Sequence, residues 1–192
     1  MAGNKKKFAK RGHTVLAENI GTFLEDTRFS DVLLKAGDQT FQAHKAILAS
    51  RSKVFDGMFQ SGMKESQENV VEIAEMSPAI VKQMLQYIYS GSVEELSMDT
   101  AIDLYIGADR YDLQELKEWC REFILKHISS DKVCKVAVIA DLHSDEELTM
   151  ASKRVFKENL KVILSSEAWR EFGKKNHTLQ TNLLESALSG DS

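Results

Sequence analysis

The feature of this sequence that most constrains its fold is its shortage of helix-breaking residues. Pro78 is the only proline among 192 residues, and the ten glycines are scattered singly. Proline ends or kinks helices and glycine weakens them, so long stretches of this chain meet no internal obstacle to a helix. A β-sandwich would need many turn residues. The sequence therefore favours a mainly helical protein.

The composition supports a folded protein. Hydrophobic residues make up 43% of the chain, which is enough for a packed core and excludes a wholly disordered chain. The longest apolar run is short, residues 136–140, so no membrane span is expected, and no apolar signal segment follows the start. With two cysteines no disulfide framework is expected. We expect an intracellular protein of the nucleus, the cytoplasm or both.

Charge is distributed unevenly along the chain. Residues 1–12 contain five basic residues and no acidic one, whereas the rest contains 20 basic and 29 acidic residues. We expect residues 1–13 to form a solvated, disordered leader; a short nuclear address or a weak nucleic-acid patch is the alternative. Nucleic-acid binding by the acidic remainder is not expected, because phosphate contacts need a basic face.

The order of elements predicts a small sheet followed by helices. Leu16, Ile20 and Phe23 share one face of a predicted helix. Alternation over residues 31–43, with a turn at 37–38, predicts a β-hairpin. Residues 63–69 are interpreted as a polar connection, and residues 70–73 as a short strand.

Helical patterns then dominate. Ser77 and Pro78 form a strong helix start, and helix follows helix to residue 188. Ser144 and Glu147 have the spacing of a capping box. We therefore expect an α+β protein, with residues 190–192 as a tail.

No catalytic, metal or cofactor motif stands out. The glycine spacing excludes phosphate-binding loops, and no nucleophile elbow occurs. The five histidines do not pair with each other or with Cys120 or Cys134 at ligand spacing. We expect a protein that is not an enzyme and that needs no cofactor or metal.

One polar pair is a candidate structural feature. Asp31 opens the first predicted strand and Lys45 follows the second, so the hairpin can bring them together. We interpret them as a partly buried ion pair that orients the hairpin against the next helix. A polar pocket used by partners is the alternative.

Several segments resemble the BTB/POZ domain family. They include residues 29–32, 41–52, 54–59, 63–66, 71–73, 87–91 and 108–113. The resemblance is to the MATH-BTB proteins especially, the group of speckle-type POZ protein. Residues 140–144 and the approach to Trp169 resemble the BACK-like region of that group. The resemblance implies a BTB/POZ domain over 14–128, a small β-sheet flanked by helices, and an all-helical BACK-like extension over 129–189.

The resemblance implies an adaptor that dimerises. Leu16, Ile20 and Phe23 match dimer-helix positions, and Ile47 matches a further dimer contact. An apolar stripe on an outer helix needs a cover, which a second copy can supply symmetrically. Packing of the stripe on its own domain is the alternative.

The resemblance also implies a binding loop for the N-terminal domain of cullin-3. Met63, Lys64 and Glu65 match the hydrophobic-x-Glu motif of the family. Helices over 130–143 and 145–160 resemble the supporting 3-box. Without the family, the loop is a plain polar connection.

The C-terminal helix carries a third expectation. In the relatives this region makes a second self-association contact, which here would use Leu184 and Leu188. Packing of these leucines within the helical stack is the alternative.

The implied function is therefore a homodimeric cullin-3 adaptor in a ubiquitin ligase complex, acting in protein ubiquitination and proteasomal degradation. Two alternatives remain: a decoy that dimerises with MATH-BTB relatives, and a BTB-type transcriptional co-regulator. Too few residues precede Leu16 for a MATH domain, so we expect either a shortened family member or a partner that supplies the substrate reader.

Overall fold

The computed structural model describes residues 15–60, 62–93 and 96–189. The predicted leader, residues 1–13, and the predicted tail, residues 190–192, lie outside the described residues. The chain forms two compact units. The first comprises residues up to 96 together with 107–117, and the second comprises residues 97–106 together with 118 onwards.

The first unit contains the sheet. Residues 15–21 are helical (α1) and run into a 3₁₀ turn, Thr22–Leu24. The strands are β1 (Val32–Ala36), β2 (Gln39–Ala43) and β3 (Val70–Glu72). The helices after the hairpin are α2 (Lys45–Arg51), α3 (Lys53–Phe59), α4 (Lys64–Glu68) and α5 (Pro78–Ser90).

The described part of the chain continues with helices only. They are α6 (Met98–Arg110), α7 (Gln114–His127), α8 (Val133–Leu142), α9 (Glu146–Glu158), α10 (Leu160–Ser165), α11 (Glu167–Lys175) and α12 (His177–Leu188). The α+β class is therefore confirmed. None of the described helices is long and apolar enough to cross a membrane.

The predicted hairpin is confirmed. β1 pairs with β2 antiparallel and with β3 in parallel, giving the strand order β2-β1-β3. Gly37 in the turn has a φ of 57°, a left-handed value that glycine adopts without steric cost. Buried and exposed residues alternate along β1, so Val32, Leu34 and Ala36 all face the core.

The predicted helix start at Ser77 is also confirmed. The Ser77 hydroxyl accepts a hydrogen bond from the backbone N–H of Ile80 at 3.4 Å, and Pro78 occupies the first turn. Gly91 ends α5 in a left-handed conformation. Residues 63–69 differ from the predicted polar connection, because the chain forms the short helix α4 there.

The second unit has its own hydrophobic core. Its buried members come from five helices, and they are Val133, Cys134, Ala137, Val155, Phe156, Ile163, Trp169, Phe172 and Leu183. Three aromatic rings form its centre: Trp169 lies 4.9 Å from Phe156 and 5.5 Å from Phe172 between ring centroids. Cys120 and Cys134 are both buried as free thiols.

The start of α9 corrects a detail of the sequence analysis. The capping residue is Asp145 and not Ser144: the Asp145 carboxylate accepts from the backbone N–H of Leu148 at 3.1 Å. The same carboxylate accepts a hydrogen bond from the hydroxyl of Tyr105 at 2.7 Å. Asp145 therefore stabilises a helix terminus and satisfies a buried tyrosine at the same time.

Candidate protein-interaction surfaces

An apolar groove lies where α1, α2 and the C-terminal end of α5 meet. It has a volume of about 330 Å³, and Leu16, Ile20 and Ile47 line it together with Ile88 and Tyr89. Leu16 is 58% exposed, and Ile20 and Ile47 are partly exposed. The structure thus brings three of the four predicted dimer residues onto one uncovered surface.

Phe23, the fourth predicted dimer residue, has a different environment. It lies in the 3₁₀ turn after α1 and is half-buried. Its ring meets the ring of His44 edge-on, with centroids 5.5 Å apart. Phe23 therefore fixes the end of α1 against its own domain, which holds the groove residues of α1 in place.

His44 and Tyr89 form a buried polar contact behind this groove. The Tyr89 hydroxyl accepts from the backbone N–H of His44 and contacts the ring Nδ1, each at 2.9 Å. His44 Nε2 lies 3.1 Å from the Arg28 carbonyl oxygen, which can only accept, so Nε2 carries the proton. Burial raises the pKa of Tyr89 to about 12, so the hydroxyl stays protonated and can donate to Nδ1.

Tyr89 also lines a second, larger groove of about 560 Å³. This groove lies between the 3₁₀ turn, β2 and α5, and Phe41 and Lys82 are among its lining residues. Neither Tyr89 nor this groove has a local signal in the sequence. The two residues of the polar contact are 45 positions apart, so only the folded chain reveals it.

Asp31 and Lys45 meet, but not as an ion pair. The Asp31 carboxylate accepts from the backbone N–H of Lys45 at 2.7 Å and so satisfies a donor at the start of α2. The Lys45 ammonium instead donates to the side-chain oxygen of Asn69 at 2.5 Å and lies over the Phe59 ring. The contact joins the hairpin to α2, but it uses the backbone N–H of Lys45 and not the Lys45 ammonium.

Met63, Lys64 and Glu65 lie at the start of α4. Met63 precedes the helix and is 50% exposed, while Glu65 lies in the first turn and is partly buried. Lys64 is exposed and pairs with Glu68 at 3.8 Å. The motif therefore presents a thioether and a carboxylate two positions apart on a short helix.

The two leucines predicted for second self-association differ in environment. Leu184 packs against the core of the second unit, together with Leu179 and Ala187. Leu188 is 77% exposed at the end of α12. Leu184 thus has a packing role within its own unit, and only Leu188 presents a large uncovered side chain.

The groove of Leu16, Ile20 and Ile47 is mostly apolar, and Met63 is half exposed. Among the described residues, no cluster of three or more His, Cys, Asp or Glu side chains could hold a metal ion. An uncovered apolar groove and an exposed methionine are the attributes of a module that binds other proteins.

Comparison with known proteins identifies the module. The family model of the BTB/POZ domain matches residues 20–128, and the chain belongs to the BTB/POZ family. BTB domains are protein-interaction modules and typically dimeric.

One solved structure agrees with this assignment, and a second is reported beside it. The BTB domain of zebrafish PATZ1 is 25% identical, with a TM-score of 0.53, over 62% of this chain and 95% of that one. The BTB domain of human gigaxonin is 28% identical, with a TM-score of 0.49, over 57% of this chain and 88% of that one. The predicted BTB/POZ fold is confirmed.

Proposed function

We propose that this protein is a homodimeric adaptor that binds the N-terminal domain of cullin-3 and helps assemble a cullin-RING ubiquitin ligase. In this proposal the groove of α1 and α2 is the dimer contact, and Met63, Lys64 and Glu65 contact the cullin. The helices after residue 128 act as a BACK-like extension of the MATH-BTB type, with a 3-box that widens the cullin contact.

The observation that carries the proposal is the uncovered groove with Leu16, Ile20 and Ile47. Burying apolar surface is worth about 25 cal/mol per Å², so exposing this surface in isolated chains is unfavourable. In a two-fold dimer the same surface is used twice, and each copy covers the other. The family membership of residues 20–128 makes a second copy the natural cover.

Support for the cullin contact comes from the environment of Met63. An unbranched thioether adapts to irregular apolar pockets, and half of this side chain is available for contact. Glu65 lies next to it and can accept hydrogen bonds from a partner. Lys64 pairs with Glu68 at 3.8 Å, so Met63 and Glu65 supply the larger part of the proposed contact.

The test is a calorimetric titration of the full chain with the N-terminal domain of cullin-3. We expect Met63→Asp to weaken binding at least about tenfold, because a charge then enters an apolar contact. Val162→Asp is a matched control, since Val162 is also an exposed apolar residue outside the proposed contacts. Unchanged affinity in Met63→Asp would remove this loop from the mechanism.

Glu65→Ala tests the second half of the motif. We expect a loss of about 1–3 kcal/mol of binding energy if the carboxylate accepts hydrogen bonds from the cullin. Glu68→Ala on the same helix is the control, because Glu68 pairs only with Lys64 among the described residues. Light-scattering masses with and without the cullin domain give the stoichiometry; the proposal requires two copies of each chain per complex.

A further inference from the structure

The second unit contains a local excess of positive charge. Between residues 153 and 175 the chain has seven Lys or Arg residues and three Glu residues, although its net charge is −4. This segment forms the end of α9 and all of α10 and α11. Positive charge is thus concentrated on one part of an otherwise acidic body.

Helix periodicity gathers part of this charge on one outward face. Met150, Lys153, Arg154 and Lys157 occupy positions i, i+3, i+4 and i+7 of α9, and all four are exposed. Lys161 follows in the first turn of α10 and is also exposed. We refer to these five residues as the cationic face. The opposite side of α9, including Val155 and Phe156, is buried in the core.

The charges of the cationic face are not paired within the described part of the chain, although Glu158 follows Arg154 by four positions. Among the described residues, Lys153, Arg154, Lys157 and Lys161 make no ion pair or side-chain hydrogen bond. Other basic residues of the same unit do: Lys132 and Lys135 bind Asp99 at 2.6 and 2.8 Å.

The helix macrodipole explains only one of these positions. Cations are favoured near the C-terminus of a helix, but the effect falls off within the last turn. Lys157 lies in the last turn of α9, whereas Lys153 and Arg154 lie before it. Like charges at spacings of three and four residues repel each other on a helix. A partner with negative charge would relieve this repulsion.

We propose that the cationic face is a docking surface for an acidic segment of a partner protein. Carboxylates of the segment pair with Lys153, Arg154 and Lys157, and an apolar side chain covers Met150, which is 64% exposed. Charge complementarity steers such a segment to this face and sets its specificity. The site uses none of the residues of the dimer groove or of the Met63 loop. It lies on α9, one of the two helices of the proposed 3-box, and its test is made without the cullin domain.

A protein segment fits this face better than a nucleic acid or a membrane. Outside residues 1–12 and 153–175 the chain has 13 Lys or Arg and 26 Asp or Glu residues, and this excess of negative charge repels a long polyanion that extends beyond the face. A membrane-binding helix turns its apolar side outward, but the apolar side of α9 is inside the core. A short acidic segment that also carries an apolar residue matches both the charges and Met150.

The test uses the full chain and a fluorescent probe peptide. The probe is a helical peptide of about 15 residues with Glu along one face and a Leu at its centre, and binding is measured by fluorescence anisotropy. We expect the triple variant Lys153→Glu, Arg154→Glu and Lys157→Glu to weaken binding at least about tenfold. We expect the neutral triple variant, with Gln at the same positions, to show an intermediate loss of probe binding. It is the control for effects of charge reversal on folding, because it introduces no negative charge.

A second triple variant controls for net charge. Changing Lys53, Lys82 and Lys126 to Glu alters the total charge equally at exposed positions on other helices. We expect this variant to bind the probe within about twofold of the unmodified chain. Equal losses in the two triple variants would overturn the proposal, because binding would then reflect only the total charge.

Met150→Ala and two further probes complete the test. We expect Met150→Ala to weaken binding about threefold with the Leu peptide and to have no effect with a peptide that has Ala at that position. A labelled single-stranded oligonucleotide and phosphatidylserine vesicles serve as other polyanions. Tighter binding of either one than of the Leu peptide would overturn the assignment to an acidic protein segment.

Discussion

The two compact units differ in how their exposed apolar residues are arranged. In the first unit, apolar side chains of α1 and α2 line an open groove, and Met63 is half exposed. In the second unit, the large aromatic residues of α9 and α11 form a closed core, and the outward face of α9 is mostly charged. The second unit also exposes large apolar residues, among them Leu142, Val162 and Leu188. The difference is that the first unit groups several apolar residues of α1, α2 and α5 in one groove, and a grouped apolar surface is typical of a protein-binding site.

The largest expected effect on stability comes from the two tryptophans of the second unit. Trp169 is 7% exposed among Phe156 and Phe172, whereas Trp119 is 41% exposed on α7. We expect Trp169→Ala to lower the free energy of unfolding by about 3–5 kcal/mol, because it leaves a cavity. Trp119→Ala should cost less than about 1 kcal/mol. Urea unfolding measures both, and equal costs would show that this core is not the main source of stability.

Self-association gives the next largest effect and compares the two units directly. We expect the double variant Ile20→Asp and Ile47→Asp to raise the dimer dissociation constant at least about 100-fold, because charges then enter an apolar contact. Leu142→Asp, an exposed position of the second unit, should leave it unchanged. The measurement is mass by light scattering over a range of concentrations. A dimer that survives the double variant would contradict the role of the groove.

The polar contact behind the groove gives a smaller, local effect. We expect Tyr89→Phe to lower stability by about 1–3 kcal/mol, since the buried backbone N–H of His44 loses its acceptor. Tyr111→Phe is a matched control: Tyr111 is equally buried in the same unit and stacks on Phe55. Thermal unfolding of the two variants is the measurement, and similar melting temperatures would show that the hydroxyl of Tyr89 contributes nothing.

We expect Asp99→Asn to have the smallest effect on stability, and this effect depends on pH. Hydrogen bonds from Lys132 and Lys135 lower the pKa of this carboxyl to about 2. Its stabilising effect is therefore present above the unfolded-state pKa of about 3.9 and is lost as the pH falls through about 2. Asp99 and Lys135 are exposed to solvent. We therefore expect Asp99→Asn to lower the free energy of unfolding by at most about 0.5 kcal/mol at neutral pH.

Carboxyl NMR titration measures the pKa of Asp99 directly. The stability difference between Asp99→Asn and the unmodified chain should vanish near pH 2. An ordinary pKa for Asp99 would mean that the two lysines do not hold it in solution.

Local signals were sufficient for much of the fold. The alternation of residues 31–43 and the Ser77-Pro78 pair predict the hairpin and the start of α5 correctly, because each rests on neighbouring residues. α4 escaped prediction, since a helix of five polar residues is not stable by itself and forms only in its tertiary setting. The cap at Asp145 was misassigned to Ser144 because both residues are good caps and the choice depends on the path of the chain.

The interaction surfaces were predicted less completely. The stripe of Leu16 and Ile20 is a periodic signal, but its junction with Ile47 was expected only from family resemblance. The contact of His44 with Tyr89 joins residues far apart in sequence and has no local signature. The atoms that join Asp31 to Lys45 also depend on the position of Asn69, which the sequence pattern does not give.

The two buried cysteines make this protein convenient for site-directed labelling. Burial raises the pKa of Cys120 to about 12 and that of Cys134 to about 11, so at neutral pH both are thiols rather than reactive thiolates. We therefore expect a maleimide dye to leave Cys120 and Cys134 unmodified and to react with a single cysteine introduced at Met150 or Leu16. Distances between labelled copies can then be measured without removing any natural side chain from the core.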